Sequence, residues 1–190
     1  MPVHHSVDPW TQVRTLHDFP ADEVISALQK EIRRSHTENA ALLAYEMMVT
    51  SPELEEFMWV RLHVIAIEDV GFANLNAPLM VDALYRMRLH FPHGVADRYL
   101  FGIHAVRVLC SGEKDRSTAE LLDWIDHAVS HEGKLPEIPD YALDMHTRRG
   151  QEAGRDMEHY LREAAKMEPE LAGRDTTYLD RLRTALGIGN

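Results

Sequence analysis

Apolar side chains recur three and four residues apart along most of this chain, and that spacing constrains the fold more than any other feature. In ADEVISALQKEIRRS, residues 21–35, Ala21, Val24, Ile25, Leu28 and Ile32 fall on one helix face with charges opposite, the pattern of an amphipathic helix against a core. The acids of that stretch come first and Lys30, Arg33 and Arg34 last, the order the helix dipole favours. No sustained period-2 alternation and no Asn-Gly hairpin turn interrupt the helical signals. The fold class is all-α.

Punctuation divides the chain into three parts. Residues 1–20, with Pro2, Pro9 and Pro20, read as an extended N-terminal segment. Residues 21–132 read as a compact multi-helix domain, and 133–190 as a helical C-terminal extension after the linker GKLPEIPD. SHTE (Ser35 to Glu38) and STAE (Ser117 to Glu120) have capping-box spacing and are expected to open helices. Ser51 before Pro52 predicts an N-cap with proline in the first turn. That helix should run to Gly71, the next from Pro78 to Pro92, and a further one through VADRYLFGIHAVRVLCS. In the extension, one long polar helix is expected from Tyr141 to Met167 and a short one from Tyr178 to Leu186.

Composition narrows the classes of function. With 45% apolar and 27% charged residues in 190, the chain has enough of both for a globular body. One cysteine, Cys110, leaves no disulfide framework within the chain. The opening MPVHHSVDPW has neither a basic nor an apolar segment, and no apolar run approaches the ~18–20 residues of a membrane span. A soluble cytoplasmic protein without a membrane partner is expected, and Met1 with the unusual extension suggests a complete gene product. A net charge of −11 opposes general nucleic-acid binding, which needs clustered Lys and Arg.

Catalytic motifs are sparse. No GxxxxGK[ST] phosphate loop, GxGxxG or GxSxG is present, so no nucleotide cofactor or serine nucleophile is called for. Cys110 sits in an apolar helical run, where thiols are generally inert. His17-Asp18 matches the dipeptide of the all-helical HD-type phosphohydrolases, which need a further upstream His; only His4 and His5 are available. His127 and His131 have the four-residue spacing of two metal ligands on one helix face, but HAVSHEG is not HExxH. A metal-dependent phosphohydrolase is thus a weak alternative, and no catalytic residue is assigned. HTRRGQEAGR is the densest basic cluster. His146, Arg148, Arg149 and Arg155 there are candidates for an anion or nucleic-acid contact, while Gly150 and Gly154 suggest instead the close approach of a second helix.

RLHVIAIEDVGFA, residues 61–73, poses a sharper question, because Glu68 and Asp69 end an apolar helix where the dipole disfavours negative charge. The simplest resolution is an ion-pair cluster. Lys30, Arg33 and Arg34 from the end of the first helix are candidates, with Arg61 contributing across a neighbouring helix.

SALQKEIRRS, AALLAYEMM and RLHVIAIEDVGFA, in that order and at similar spacing, resemble the C-terminal helical domain of the RarA/MgsA family. That family includes the Werner helicase-interacting ATPases, which are AAA+ proteins related to clamp loaders. The likeness is good from about Asp22 to Ala83 and fainter through VRVLCSGEKDRSTAELLDWIDHAV. It implies a helical module that follows an ATPase core, mediates oligomerisation and serves a family acting at stalled replication forks, with the Arg and Glu-Asp motif architectural. Arg34-Ser35-His36 replaces a Gly-Ser-Asp turn of the family, the AAA+ core is missing from this sequence, and the segment from Pro139 onward departs from the family's ending. The expectation is a non-catalytic homo-oligomer, dimer or tetramer, acting with a separate AAA+ ATPase or another DNA-maintenance protein.

Overall fold

The computed structural model describes residues 8–189. Among them are nine α-helices: α1 (Ala21–Arg33), α2 (Thr37–Thr50), α3 (Pro52–Ile65), α4 (Ala77–Arg88), α5 (Ala96–Cys110), α6 (Ser117–Glu132), α7 (Arg148–Glu152), α8 (Met157–His159) and α9 (Thr177–Leu186). No strand forms among the described residues; an isolated antiparallel bridge joins Arg14 and Pro20. None of these helices is long and apolar enough to cross a membrane. The chain divides after Gly133 into two compact units.

In the first unit α1 packs on α2, α2 on α3 and α5, and α4 on α5. Ala21, Val24, Leu28 and Ile32 form the buried stripe of α1. They meet Met47, Met48, Leu54, Met58, Trp59, Leu62 and Leu109 in a continuous core, where each large side chain contributes about 1.5–3 kcal/mol by leaving water. Gly102 brings α5 close to α2: a Cβ there would stand 2.6 Å from Met48 Sδ. The Ser51 hydroxyl accepts from the Leu54 N–H at 3.1 Å and Pro52 occupies the first turn, which starts α3 at once after α2.

Neither capping box forms. Ser35 has φ +60° and ends α1 instead of opening α2. The His36 N–H donates to Glu31 O at 2.9 Å and the Ser35 N–H to Ile32 O at 3.0 Å, the paired bonds of a Schellman C-cap. At α6 the capping acceptor is Asp115, not Ser117: its Oδ1 accepts from the Ser117 N–H at 3.0 Å. At α6 a neighbour two residues away satisfies the free amide in place of Ser117, whereas at α2 the Schellman turn takes Ser35 and the N-cap, His36, makes no side-chain capping bond. Helix α4 stops at Arg88, before Pro92, and Gly133 closes α6 in the left-handed region, at φ +66°.

The second unit departs most from expectation. The long helix over 141–167 is broken into a 3-10 turn (Asp140–Ala142), α7, and α8 continuing as a π turn (Tyr160–Ala164). Local caps divide it. Thr147 Oγ1 accepts from the Gly150 N–H at 3.0 Å, Gly154 turns the chain at φ +71°, and Asp156 Oδ1 accepts from the His159 N–H at 3.1 Å. Gly150 is required by its own preceding loop rather than by a second helix, since a Cβ there would lie 1.8 Å from Asp144 O. Gly154 has open space around it, so its role is conformational.

Candidate functional site

The acids of the 61–73 segment lie where α3 widens into a π turn, Ala66–Val70. The extra residue in that turn shifts the helical phase and carries Asp69 into full burial, while Glu68 keeps about a quarter of its side-chain surface. Gly71, at φ +49°, then reverses the chain under the Asp115 carbonyl, 2.5 Å from where a Cβ would stand. π turns inside helices often mark functional positions, because they redirect side chains that a regular helix would place elsewhere.

Two guanidiniums match the two carboxylates. Arg33 Nε donates to Asp69 Oδ1, and its Nη2 to Glu68 Oε1 at 3.2 Å. Arg116, just ahead of α6, donates to the same Glu68 oxygen at 3.4 Å and places its Nε 3.4 Å from Asp69 Oδ1. Gln29 Nε2 donates to Asp69 Oδ2 at 3.0 Å, and Gln29 Oε1 in turn accepts from Arg61. A backbone bond from the Asp115 N–H to Asp69 O, 3.0 Å, completes the seam. The C-terminal ends of α1 and α3, both electronegative by their dipoles, are thus held together by Arg33, and the start of α6 is attached to them through Arg116.

Of the sequence-derived candidates, Arg33, Glu68 and Asp69 come together directly, and Arg61 joins through Gln29. Lys30 and Arg34 do not join. Lys30 turns to the Ser26 hydroxyl and Arg34 Nη1 to Lys30 O at 3.0 Å, both satisfied within their own helix end before they can reach α3. Arg116 was missed, although a cation one residue before an expected helix start and near the family's Lys-Ser turn was a usable signal. Lys114, in that same turn, donates to Ser35 Oγ at 2.9 Å and Gly112 O at 3.0 Å.

A second buried ionic cluster went unread altogether. Glu55, fully buried on α3, accepts from Arg88 Nη1 at 3.1 Å and from Arg98 Nε at 2.8 Å. The Arg88 guanidinium also lies 4.5 Å from the Tyr85 ring centre, while Arg98 caps Phe91 O at 2.7 Å. The available sign was Glu55 itself, an acid standing on the buried stripe of Leu54, Met58, Trp59 and Leu62.

The remaining candidates have separate partners. His17 donates its backbone N–H to Glu46 Oε1 at 2.9 Å and sets ring Nδ1 2.6 Å from Oε2. Burial alone would raise the Glu46 carboxyl; hydrogen bonds from Thr15 and His17 outweigh it and hold the carboxyl below its usual range. Asp18 pairs with Arg14 at 2.9 Å, so His17 and Asp18 face different groups, and His4 and His5 lie outside the described residues. Among the described residues no three His, Cys, Asp or Glu side chains gather as a metal set. Burial pushes the Cys110 thiol up. Arg155 is engaged by Asp140, at 2.6 Å, and by Leu143 O. His146 stands 3.0 Å from Asp144, and Arg148 stands 3.4 Å from Glu152, mostly in solvent. His146 and Arg148 thus have separate partners, while Arg149 and Arg155 line one small pocket together with the acids Asp140 and Glu152.

Beside the ion-pair seam, His63, Val64, Ile67, Glu68, Arg116 and Leu122 line part of a largely apolar groove of about 550 Å³ between α3 and α6. On α6 Leu121, Leu122, Ile125 and Val129 are 43–66% exposed, and Ala128 is its buried residue.

No family model matches the sequence. Replication-associated recombination protein A of Bacillus subtilis (strain 168) is 33% identical over 150 residues, which cover 75% of this chain and 34% of that protein. The chain thus spans about a third of the curated relative it matches, and it is related to the replication-associated recombination protein A family.

Proposed function

We propose that this chain is a helical self-association module that serves a AAA+ ATPase of DNA replication and recombination and catalyses no reaction of its own. The supporting observation is the outer face of α6. A water-facing helix normally carries its apolar residues inward, yet Leu121, Leu122, Ile125 and Val129 remain open beside a groove on the same unit. Contiguous apolar surface rimmed by charge, here Glu120, Asp123 and Asp126, is the signature of a protein contact. The occupant we assign is a second copy of the chain. The kinship with replication-associated recombination protein A supports the cellular setting.

The ion-pair seam fits this reading, because it supplies rigidity in place of a reactive carboxylate. Arg33 and Arg116 fix the end of α3 relative to the start of α6, and so hold both walls of the groove. Light scattering across a concentration series is the test. A dimer or tetramer at micromolar concentration is expected, and Leu122→Glu/Val129→Glu should shift it to monomer without loss of helicity, since exposed substitutions change stability by only about 0.5 kcal/mol. A wild-type chain that is monomeric throughout would overturn the proposal.

A further inference from the structure

His127 and His131 lie one turn apart on α6, and neither belongs to the ion-pair seam or the apolar groove. Their rings face the same side, with centres 4.9 Å apart and planes inclined by 37°. His127 is well exposed, and Glu132 Oε1 stands 3.7 Å from its Nε2. The separation is that of an ordinary ring contact, and it suits a shared ion as well. A metal–nitrogen bond of about 2.0–2.1 Å places the metal about 3.2 Å from each ring centre, so the two centres stand about 4.5 Å apart at a right angle and about 5.2 Å apart at the tetrahedral angle. The observed spacing falls between those limits.

We infer that His127 and His131 form a two-imidazole chelate for a borderline transition-metal dication of the zinc, nickel or copper class. Imidazole nitrogen selects these ions over magnesium or calcium, which prefer oxygen sets. Helix α6 supplies the preorganisation: the four-residue spacing brings both rings to one face without moving the backbone. With two protein ligands, the other coordination positions remain open to water. The site is independent of whether the chain self-associates.

Calorimetric titration of the full chain with zinc chloride tests this, with His127→Ala/His131→Ala and His4→Ala/His5→Ala as the paired variants. Alanine is the best helix former, so the first variant keeps α6 intact, which circular dichroism checks. One zinc equivalent should bind the wild type and the His4/His5 variant alike and be lost from the His127/His131 variant. Replacing His131 alone should weaken binding about tenfold or more, the scale on which a single supporting group of a metal site matters. Magnesium chloride should give no heat at this site. Zinc binding retained by the His127/His131 variant, or equal magnesium binding, overturns the inference.

Discussion

Arg33 touches both acids of the π turn, and its loss should be felt more than that of any other base at the end of α1. Asp69 is fully buried, so removing its guanidinium leaves a carboxylate in low dielectric. Gln29 and Arg116 stay in place to share the charge. Arg33→Met should therefore cost about 2–3 kcal/mol, below the full cost of stripping a buried pair. Lys30→Met and Arg34→Met should each stay within about 0.5 kcal/mol, the range of surface changes. Urea denaturation of the three variants separates them; equal losses would mean that the cluster works by general charge rather than by this geometry. The same contrast shows how much of the site could be read in the sequence. A charge mismatch at a helix end is visible in a string of letters, and it required basic partners from elsewhere. Which of three clustered bases would reach could not be read, because the answer depends on the Schellman turn at Ser35 and on the phase shift of the π turn. Glu55 was legible in principle, since an acid on an apolar stripe must find a cation, and Arg88 and Arg98 supply two.

Helix α6 starts on a single carboxylate. The Ser117 backbone N–H, then its hydroxyl, hold the Asp115 carboxyl below its usual range, and the Phe72 N–H adds to them at 3.1 Å. The sign of the pH dependence follows. A group with a depressed folded pKa contributes stability that is present above its unfolded value of about 3.9 and is lost as pH falls through the lower folded value. Asp115→Asn should thus be less stable than the wild type at neutral pH, and the gap should narrow below about pH 4 as the wild-type carboxyl takes up its proton. Thermal midpoints of both chains from pH 7 to pH 2.5 check this, and a gap independent of pH would exclude Asp115 as the titrating cap. At this scale the placing of helices by apolar runs and their punctuation was dependable: α1 to α6 match the marked stretches, with α4 opening at Ala77, one residue before Pro78. The Ser51–Pro52 cap also formed, but the two capping boxes did not, because Ser-x-x-Glu spacing is satisfied by many sequences, whereas only one residue can have the N-cap backbone. Ser35 and Ser117 both lost that position to a neighbour, and the polar run of 141–167, with no apolar stripe to hold it straight, broke at Thr147, Gly154 and Asp156.

Two compact units joined by an extended, proline-bearing stretch should come apart at that stretch before either unfolds. Residues 134–139 carry no helix, and Leu135 and Ile138 are 76% and 70% exposed. A protease needs several residues of extended, accessible backbone, which packed helices deny it until they open. Trypsin, which cuts after Lys or Arg, should therefore cleave first after Lys134, at the start of that stretch. The fragment ending near Gly133 should survive, because the continuous core from Leu28 to Leu109 lies wholly within it. The smaller unit should be degraded sooner. Its buried apolar side chains are few, Leu161 and Ile188 among them, and its helices α7 and α8 are shorter than the length at which helices persist unaided. Mass spectrometry of a timed digest reads both steps. A first cut inside α1–α6 would place the weakest point of the molecule within the larger unit, and would mean that the buried Glu55 and Asp69 clusters strain the helices they join instead of securing them.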